Sequence, residues 1–173
     1  MDDFVRGTRL MKLSNDTLNE LPHNVIVPNY DRSALRPGII HVGVGNFHRA
    51  HQAWYLHRLM QVGEALDWAI IGAGVRGADA IMREKLLRQD CLTTLMELDP
   101  SSSSIEVVGS MIDYLPIEEN NESLIHRMAQ SDIRIVALTV TEGGYFIDPA
   151  TKCFDEDHPD IVFDSYNPDA PKT

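Results

Sequence analysis

Ile39-Ile40-His41-Val42-Gly43-Val44-Gly45-Asn46-Phe47-His48-Arg49-Ala50-His51 is the stretch whose reading decides the fold. An apolar run with the composition of a buried strand ends in Gly-Val-Gly and passes directly into a helical pattern. This is the strand–turn–helix succession of a nucleotide-binding α/β fold. Gly43 permits a sharp turn off the strand, and Gly45 lets the backbone approach a pyrophosphate with no Cβ in the way. The helix that follows aims its free N–H groups and positive dipole end at the anion.

Outward from this turn the chain alternates. His48–Val62 predicts a helix, with Ala50, Ala53, Trp54 and Leu56 to Met60 as its apolar stripe and Gly63 past its end. Trp68–Ile71 predicts a second strand, Asp79–Gln89 a second helix and Cys91–Leu98 a third strand. Pro100 and Ser101–Ser104 form a hairpin connection to Ile105–Val108. Glu119–Gln130 predicts a helix capped by Asn120 or Asn121. In Ile133–Val140 six of eight residues are Ile, Val, Ala or Leu, the composition of a strand buried on both faces. The fold class expected is α/β: a doubly wound, Rossmann-like, mostly parallel sheet with helices on both faces. Residues 1–37 form a polar lead-in packed on the domain, 38–150 the dinucleotide-binding unit, and 151–173 an acidic, proline-containing tail.

Composition narrows the function. The 173 residues carry 15 Lys and Arg against 26 Asp and Glu, a net charge of −11. That surface argues against non-specific binding of nucleic acid or an anionic membrane. It does not oppose a dinucleotide, which local N–H groups hold. Cys91 and Cys153 form no disulfide framework and fit a reducing compartment. No apolar run is long enough to span a membrane, and Met1-Asp2-Asp3-Phe4 lacks the features of a secretory signal. A cytoplasmic protein is expected.

A second glycine turn competes with the first. Gly72-Ala73-Gly74-Val75-Arg76-Gly77 matches G-x-G-x-x-G letter for letter, whereas the first turn has His48 where the third glycine would stand. In a mononucleotide-binding unit the first turn holds the pyrophosphate and the end of the second strand offers a carboxylate to the adenosine ribose. With Gly43–Gly45 first, that carboxylate is Asp79. With Gly72–Gly77 first, it is Glu97 or Asp99, about the usual ~20 residues on. The residues mildly favour the first assignment, which begins the regular alternation; a tight turn that binds nothing has the same letters.

The run Gly43-Val44-Gly45-Asn46-Phe47-His48-Arg49-Ala50-His51-Gln52-Ala53 resembles the opening motif of the long-chain mannitol dehydrogenase family of polyol dehydrogenases and hexuronate reductases. The resemblance continues through Gly63–Trp68 and Gly72–Arg76 and resumes at Ile133–Tyr145, covering roughly residues 25 to 173. It implies NAD as cofactor, with Gly43, Gly45, Asn46 and Phe47 at the pyrophosphate. Arg49, Arg76, Thr141 and Gly143 complete the cofactor-binding set it implies. Some members have glycine in place of Asn46, a mild departure because Asn tolerates a left-handed backbone. Asp79 matches the position that accepts from the ribose hydroxyls, and a carboxylate there repels a 2′-phosphate, favouring NAD over NADP. Polyol members often carry glutamate where this chain has Ala78.

Thr139-Val140-Thr141-Glu142-Gly143-Gly144-Tyr145 follows the strongest strand, so it falls at the carboxyl edge of the sheet where ligands bind. Glu142, beside an apolar strand, has the setting for a raised pKa and proton traffic; a polar turn with a solvated glutamate reads the same. In polyol-oxidising relatives the matching glutamate is associated with proton exchange, so the resemblance implies a proton-relay role. His41, His48, His51 and His57 complete no recognisable metal set, and no metal is expected. A Ser-His-Asp arrangement or nucleophile elbow is absent.

The family takes its catalytic base from a lysine in a helical domain beyond the nucleotide fold. Lys152 and Lys172 match nothing catalytic. The expectation is the cofactor-binding part of a mannitol/fructose dehydrogenase, contacting sugar alcohol or ketose through a domain these residues lack, and inactive alone. A hexuronate reductase fragment, a non-catalytic nucleotide-binding module and a methyltransferase-like fold stay open as alternatives.

Overall fold

The computed structural model describes residues 11–99, 102–140 and 142–173. They form two compact units, one through Thr139 and one from Val140. In the first unit the main sheet is built from β2 (Pro37–Val42), β3 (Ala69–Ala73), β6 (Met111–Tyr114) and β7 (Ile135–Leu138), in the order β6-β3-β2-β7. Every pairing in it is parallel. A smaller sheet joins β1 (Val25–Ile26), β5 (Ser102–Val108) and β4 (Thr93–Asp99) in the order β1-β5-β4, with β4 and β5 an antiparallel hairpin.

Strand alternation builds a core on each face of the main sheet. Ile39 of β2 and Ile70 of β3 pack with Ala53, Leu56 and Met60 of α2 (Gln52–Gln61) and Leu86 of α3 (Asp79–Leu87). Their neighbours Ile40 and Ile71 point the other way, to Leu124 of α4 (Glu122–Met128). Period-2 burial on consecutive isoleucines is what a sheet covered on both faces requires. The fold is a Rossmann-type sheet with helices on both sides, as the sequence leads one to expect. Gly72 makes this packing possible: a Cβ there would stand 2.8 Å from the Tyr114 ring and 3.0 Å from Val44 Cγ2.

Several elements differ from the sequence-based expectation. The expected strand Cys91–Leu98 and its hairpin to Ile105–Val108 are present as β4 and β5, but they stand in the smaller sheet, and the main sheet takes β6 as its next strand. The expected helix from His48 to Val62 is two helices, α1 (Asn46–Ala50) and α2, broken at His51 with φ −121° and ψ −85°. Asn121 precedes α4 with φ +54° and makes no side-chain cap bond; the Glu118 carboxylate accepts instead from the Ser123 N–H at 2.8 Å and its hydroxyl at 2.9 Å. The β7 strand is not buried on both faces. Ile135, Val136 and Leu138 are 43, 46 and 62 % exposed, because among the described residues β7 is an edge strand paired only with β2.

The lead-in contributes β1 and two 3-10 turns, Asn15–Glu20 and Arg32–Ala34. Arg32 ties it to the start of β6 by donating to the carbonyls of Gly109 (2.9 Å) and Met111 (2.8 Å). A buried polar network ties α2 to β5. Glu106 accepts from Trp54 Nε1 at 2.6 Å and from Arg58 at 3.2 Å, and lies 3.4 Å from His57 Nε2. The Gly109 N–H points at His57 Nδ1 (3.4 Å), which makes that nitrogen an acceptor, so Tyr30 donates its hydroxyl to it at 2.6 Å. His57 is therefore neutral with its proton on Nε2, and burial pushes its pKa down despite the carboxylate.

The second unit contains a 3-10 turn (Glu142–Tyr145), a bridge between Ile147 and Phe154, and α5 (Pro159–Tyr166). A helix in the acidic tail was not expected from the sequence. Its start is nonetheless chemically ordinary: Pro159 stands in the first turn and His158 Nδ1 accepts from the Asp160 N–H at 3.2 Å. Among the described residues no helix is long and apolar enough to cross a membrane.

Candidate functional site

The main sheet reverses its strand order between β2 and β7: β3 and β6 add on one side of β2, and the chain then crosses to add β7 on the other. Ligands of open α/β sheets bind in the crevice outside the carboxyl ends of the strands at such a switch. The turn at Gly43–Gly45 lies there. Gly43 has φ +87°, donates to Ala73 O of the neighbouring strand at 2.9 Å, and would place a Cβ 3.2 Å from Thr139 O. Gly43 O then accepts from Gly45 N at 2.8 Å, closing a three-residue turn around the buried Val44.

Gly45 differs from Gly43. Its φ of −87° suits any residue, and a Cβ added there meets nothing within 4 Å. Among the described residues nothing requires a glycine at this position, and the space in front of the α1 start is open. Arg49 fixes the shape of that mouth by donating to Val44 O at 3.0 Å and to Asn46 Oδ1 at 2.5 Å. Phe47 is exposed and stacks on His51, centroids 4.3 Å apart. A cleft of about 200 Å³ runs beside them, lined by Asn46, Arg49, Ala50 and Thr93 to Leu95.

The second glycine turn sits at the same edge, since Val42 and Ala73 are in register. Its geometry is set by Asp79, whose Oδ2 accepts from the N–H groups of Val75 (3.1 Å) and Arg76 (3.0 Å). Gly74 is required by this closure, because a Cβ there would fall 2.4 Å from Asp79 Cβ. The Arg76 side chain is exposed. Gly77, the third glycine of the formal motif, has open space around it.

Beneath the first turn lies a pair of histidines that join no metal site among the described residues. His41 on β2 and His48 on α1 are 4 and 1 % exposed, with rings stacked at 3.6 Å and 16°. His41 Nε2 pairs with Thr139 Oγ1 at 2.9 Å, and His48 Nδ1 with Gln52 Oε1 at 3.1 Å. The remaining ring nitrogens, His41 Nδ1 and His48 Nε2, are buried without a hydrogen-bond partner among the described residues. Burial pushes both pKa values down, that of His48 to about 3 with help from the neighbouring His41 ring. Both rings are neutral at pH 7. The stack joins β2, α1 and the residue after β7, the three elements around the crevice. The signal for it was His41 at an inward-facing place in an apolar strand.

Thr141 lies outside the described residues, as does the side chain of Glu142; the backbone of Glu142 and Gly143 belongs to the 3-10 turn of the second unit. Among the described residues no three His, Cys, Asp or Glu side chains gather as a metal site.

A family model described as the mannitol dehydrogenase Rossmann domain matches residues 37–173. The mannitol 2-dehydrogenase of Cereibacter sphaeroides is 56 % identical over 153 residues, 88 % of this chain and 32 % of that protein. The polyol:NADP oxidoreductase of Gluconobacter oxydans is 41 % identical over 164 residues, 93 % of this chain and 33 % of that protein. Among solved structures, the Pseudomonas fluorescens mannitol 2-dehydrogenase in ternary complex with NAD and D-mannitol superposes with a TM-score of 0.79 at 46 % identity. That match covers 94 % of this chain and 33 % of the other. The chain thus spans about a third of the length of the curated relatives it matches.

Proposed function

The chain belongs to the mannitol dehydrogenase family through its Rossmann domain, and from that premise we propose that it holds NAD across its two glycine turns and serves hydride transfer between mannitol and fructose. The observation that carries this reading is the unfilled space at Gly45, a glycine that nothing among the described residues demands, at the switch point of the sheet. Bound there, NAD supplies the hydride acceptor or donor.

The chain's own residues have distinct tasks in this reading. The N–H groups at the start of α1 receive the pyrophosphate, and Arg49 holds the turn open by its bonds to Val44 and Asn46. Asp79 keeps Oδ1 for a ribose hydroxyl while Oδ2 is committed to its own loop. The negative charge there disfavours a 2′-phosphate, so NAD binds more tightly than NADP. Phe47 and Arg76 line the cofactor; the family resemblance adds Thr141 and Gly143 to the cofactor-binding set and gives Glu142 the proton relay. The base that takes the alcohol proton comes from residues outside these 173, so this chain alone binds the cofactor without turning over sugar.

Isothermal titration of the chain tests the cofactor assignment, with S-adenosylmethionine as the competing ligand class. The expected result is binding of NAD in preference to NADP and no binding of S-adenosylmethionine; stronger binding of NADP or of the adenosyl ligand sinks it. Asp79→Ala is expected to narrow the gap between the two nicotinamide cofactors. A separate assay follows nicotinamide absorbance with mannitol or fructose over the pure 173-residue chain. No turnover is expected, and clear turnover refutes the division of labour.

A further inference from the structure

Packing alone does not explain the two histidines beneath the first turn. His41 and His48 are 4 and 1 % exposed and lie ring on ring, a place that hydrocarbon side chains would fill as closely. Each instead buries a ring nitrogen with no hydrogen-bond partner among the described residues, which costs stability. What the His41 ring gains is one bond, between its Nε2 and Thr139 Oγ1 at 2.9 Å. Thr139 is the residue after β7, and its N–H donates to Val42 O at 3.0 Å. Backbone and side chain together hold it against β2 at two points. Its carbonyl stands beside the turn, 3.2 Å from where a Gly43 Cβ would be, and the residue is exposed at the carboxyl edge of the sheet.

The crevice has two sides. Asp79 follows β3, on one side of β2, and Thr139 follows β7, on the other. A dinucleotide with its pyrophosphate on the β2 turn sends one nucleotide to each side. With the adenosine ribose at Asp79, the nicotinamide half falls beside Thr139. We propose that His41 is a positioning residue for the nicotinamide half of the cofactor, a role that rests on the cofactor reading above. Held between Thr139 and the His48 ring of α1, it sets the β7 wall of the crevice against the helix start that receives the pyrophosphate. His41 is buried and acts only through Thr139. An exposed threonine at a strand end samples several rotamers and loses that freedom when a ligand packs on it; the bond to His41 settles one rotamer before the cofactor arrives.

The test is titration with NAD and with ADP-ribose, which lacks only the nicotinamide ring. The proteins are wild type, Thr139→Val, Thr139→Ser, His41→Phe and the His41→Phe/Thr139→Val double variant, each checked by thermal melting. Thr139→Val keeps the shape of an exposed side chain and deletes its hydroxyl, so the Thr139 variants decide the matter if His41→Phe fails to fold. Wild type is expected to bind NAD more tightly than ADP-ribose. Thr139→Val and His41→Phe should each weaken NAD on the order of tenfold, the scale of one hydrogen bond, and ADP-ribose by less than about twofold. Thr139→Ser keeps the hydroxyl and should retain most of the NAD affinity. The double variant should bind NAD no more weakly than either single one, because both remove the same bond. Equal losses for NAD and ADP-ribose, NAD binding untouched by Thr139→Val, no recovery in Thr139→Ser, or additive losses in the double variant each overturn the inference. So does wild-type binding of NAD no tighter than ADP-ribose, and in all these cases the cofactor reading stands. If wild type binds neither ligand, the cofactor reading fails and takes the inference with it.

Discussion

Lowering the pH from 7 to 5 is expected to destabilise the domain through its buried histidines. His48 in the folded protein has its pKa pushed down to about 3, chiefly by burial and then by His41 and Arg49, against an ordinary value of 6.5. Between those limits the unfolded chain binds a proton that the folded chain does not, so stability falls with pH. The contribution is fully present above pH 6.5, is reduced by about 2 kcal/mol at pH 5, and reaches a loss on the order of 4 kcal/mol near pH 3. His41 and His57 are shifted downward too and act in the same direction. For a domain whose whole stability is of order 5–15 kcal/mol this is a large fraction. Exposed acids such as Asp67, Asp132 and Glu118 have lowered pKa values and act only at more acid pH, as pH falls below the ordinary carboxylate range. Urea midpoints at pH 7.5, 6 and 5 measure the loss, and His48→Phe, which keeps a ring against His41, should flatten the dependence by about one proton. Equal slopes for wild type and variant would show that His48 takes up its proton as readily in the fold as in the unfolded chain.

What sequence reading could reach follows from where the determining physics resides. The pieces β2, β3 and the turns after them were legible because strand burial and glycine geometry are local: Ile39-Ile40 and Ile70-Ile71 carry their alternation in the letters. Met111-Ile112-Asp113-Tyr114 was not legible. It is four residues long, and only pairing with β3 makes it the third strand of the sheet. The composition of β7 fits burial on both faces, but exposure depends on place in the sheet, and β7 occupies an edge. The same division holds at the site. Asp79 was found from order and spacing, whereas its bonds to the Val75 and Arg76 N–H groups depend on how the loop closes. The His41–His48 stack spans a strand and a helix seven residues apart, a separation that no single periodicity marks. The helix α5 is a different kind of miss: His158-Pro159-Asp160 carries a local start signal, and the density of acids and prolines around it obscured it.

Gly43 and Gly45 should separate folding from cofactor binding when each is replaced by valine. At Gly43 the backbone has φ +87°, a region that a β-branched residue strongly resists, and a Cβ would press on Thr139 O at 3.2 Å. Gly43→Val is therefore expected to cost stability on the order of 2 kcal/mol or more, with the crevice between β2 and β7 disturbed as a consequence. At Gly45 neither objection applies. The φ of −87° and ψ of −175° are extended backbone, and the added carbons enter open space. Stability should change by less than about 1 kcal/mol, the scale of helix-capping differences. The space they enter is, however, the space the pyrophosphate needs in order to reach the N–H groups at the start of α1. Gly45→Val should thus weaken NAD on the order of a hundredfold or beyond in a protein that melts like wild type. A structural turn that binds nothing predicts the opposite pattern, in which Gly45→Val is silent in every assay. Paired thermal melts and NAD titrations on the two variants decide between them: retention of wild-type NAD affinity by Gly45→Val would remove the phosphate from this turn.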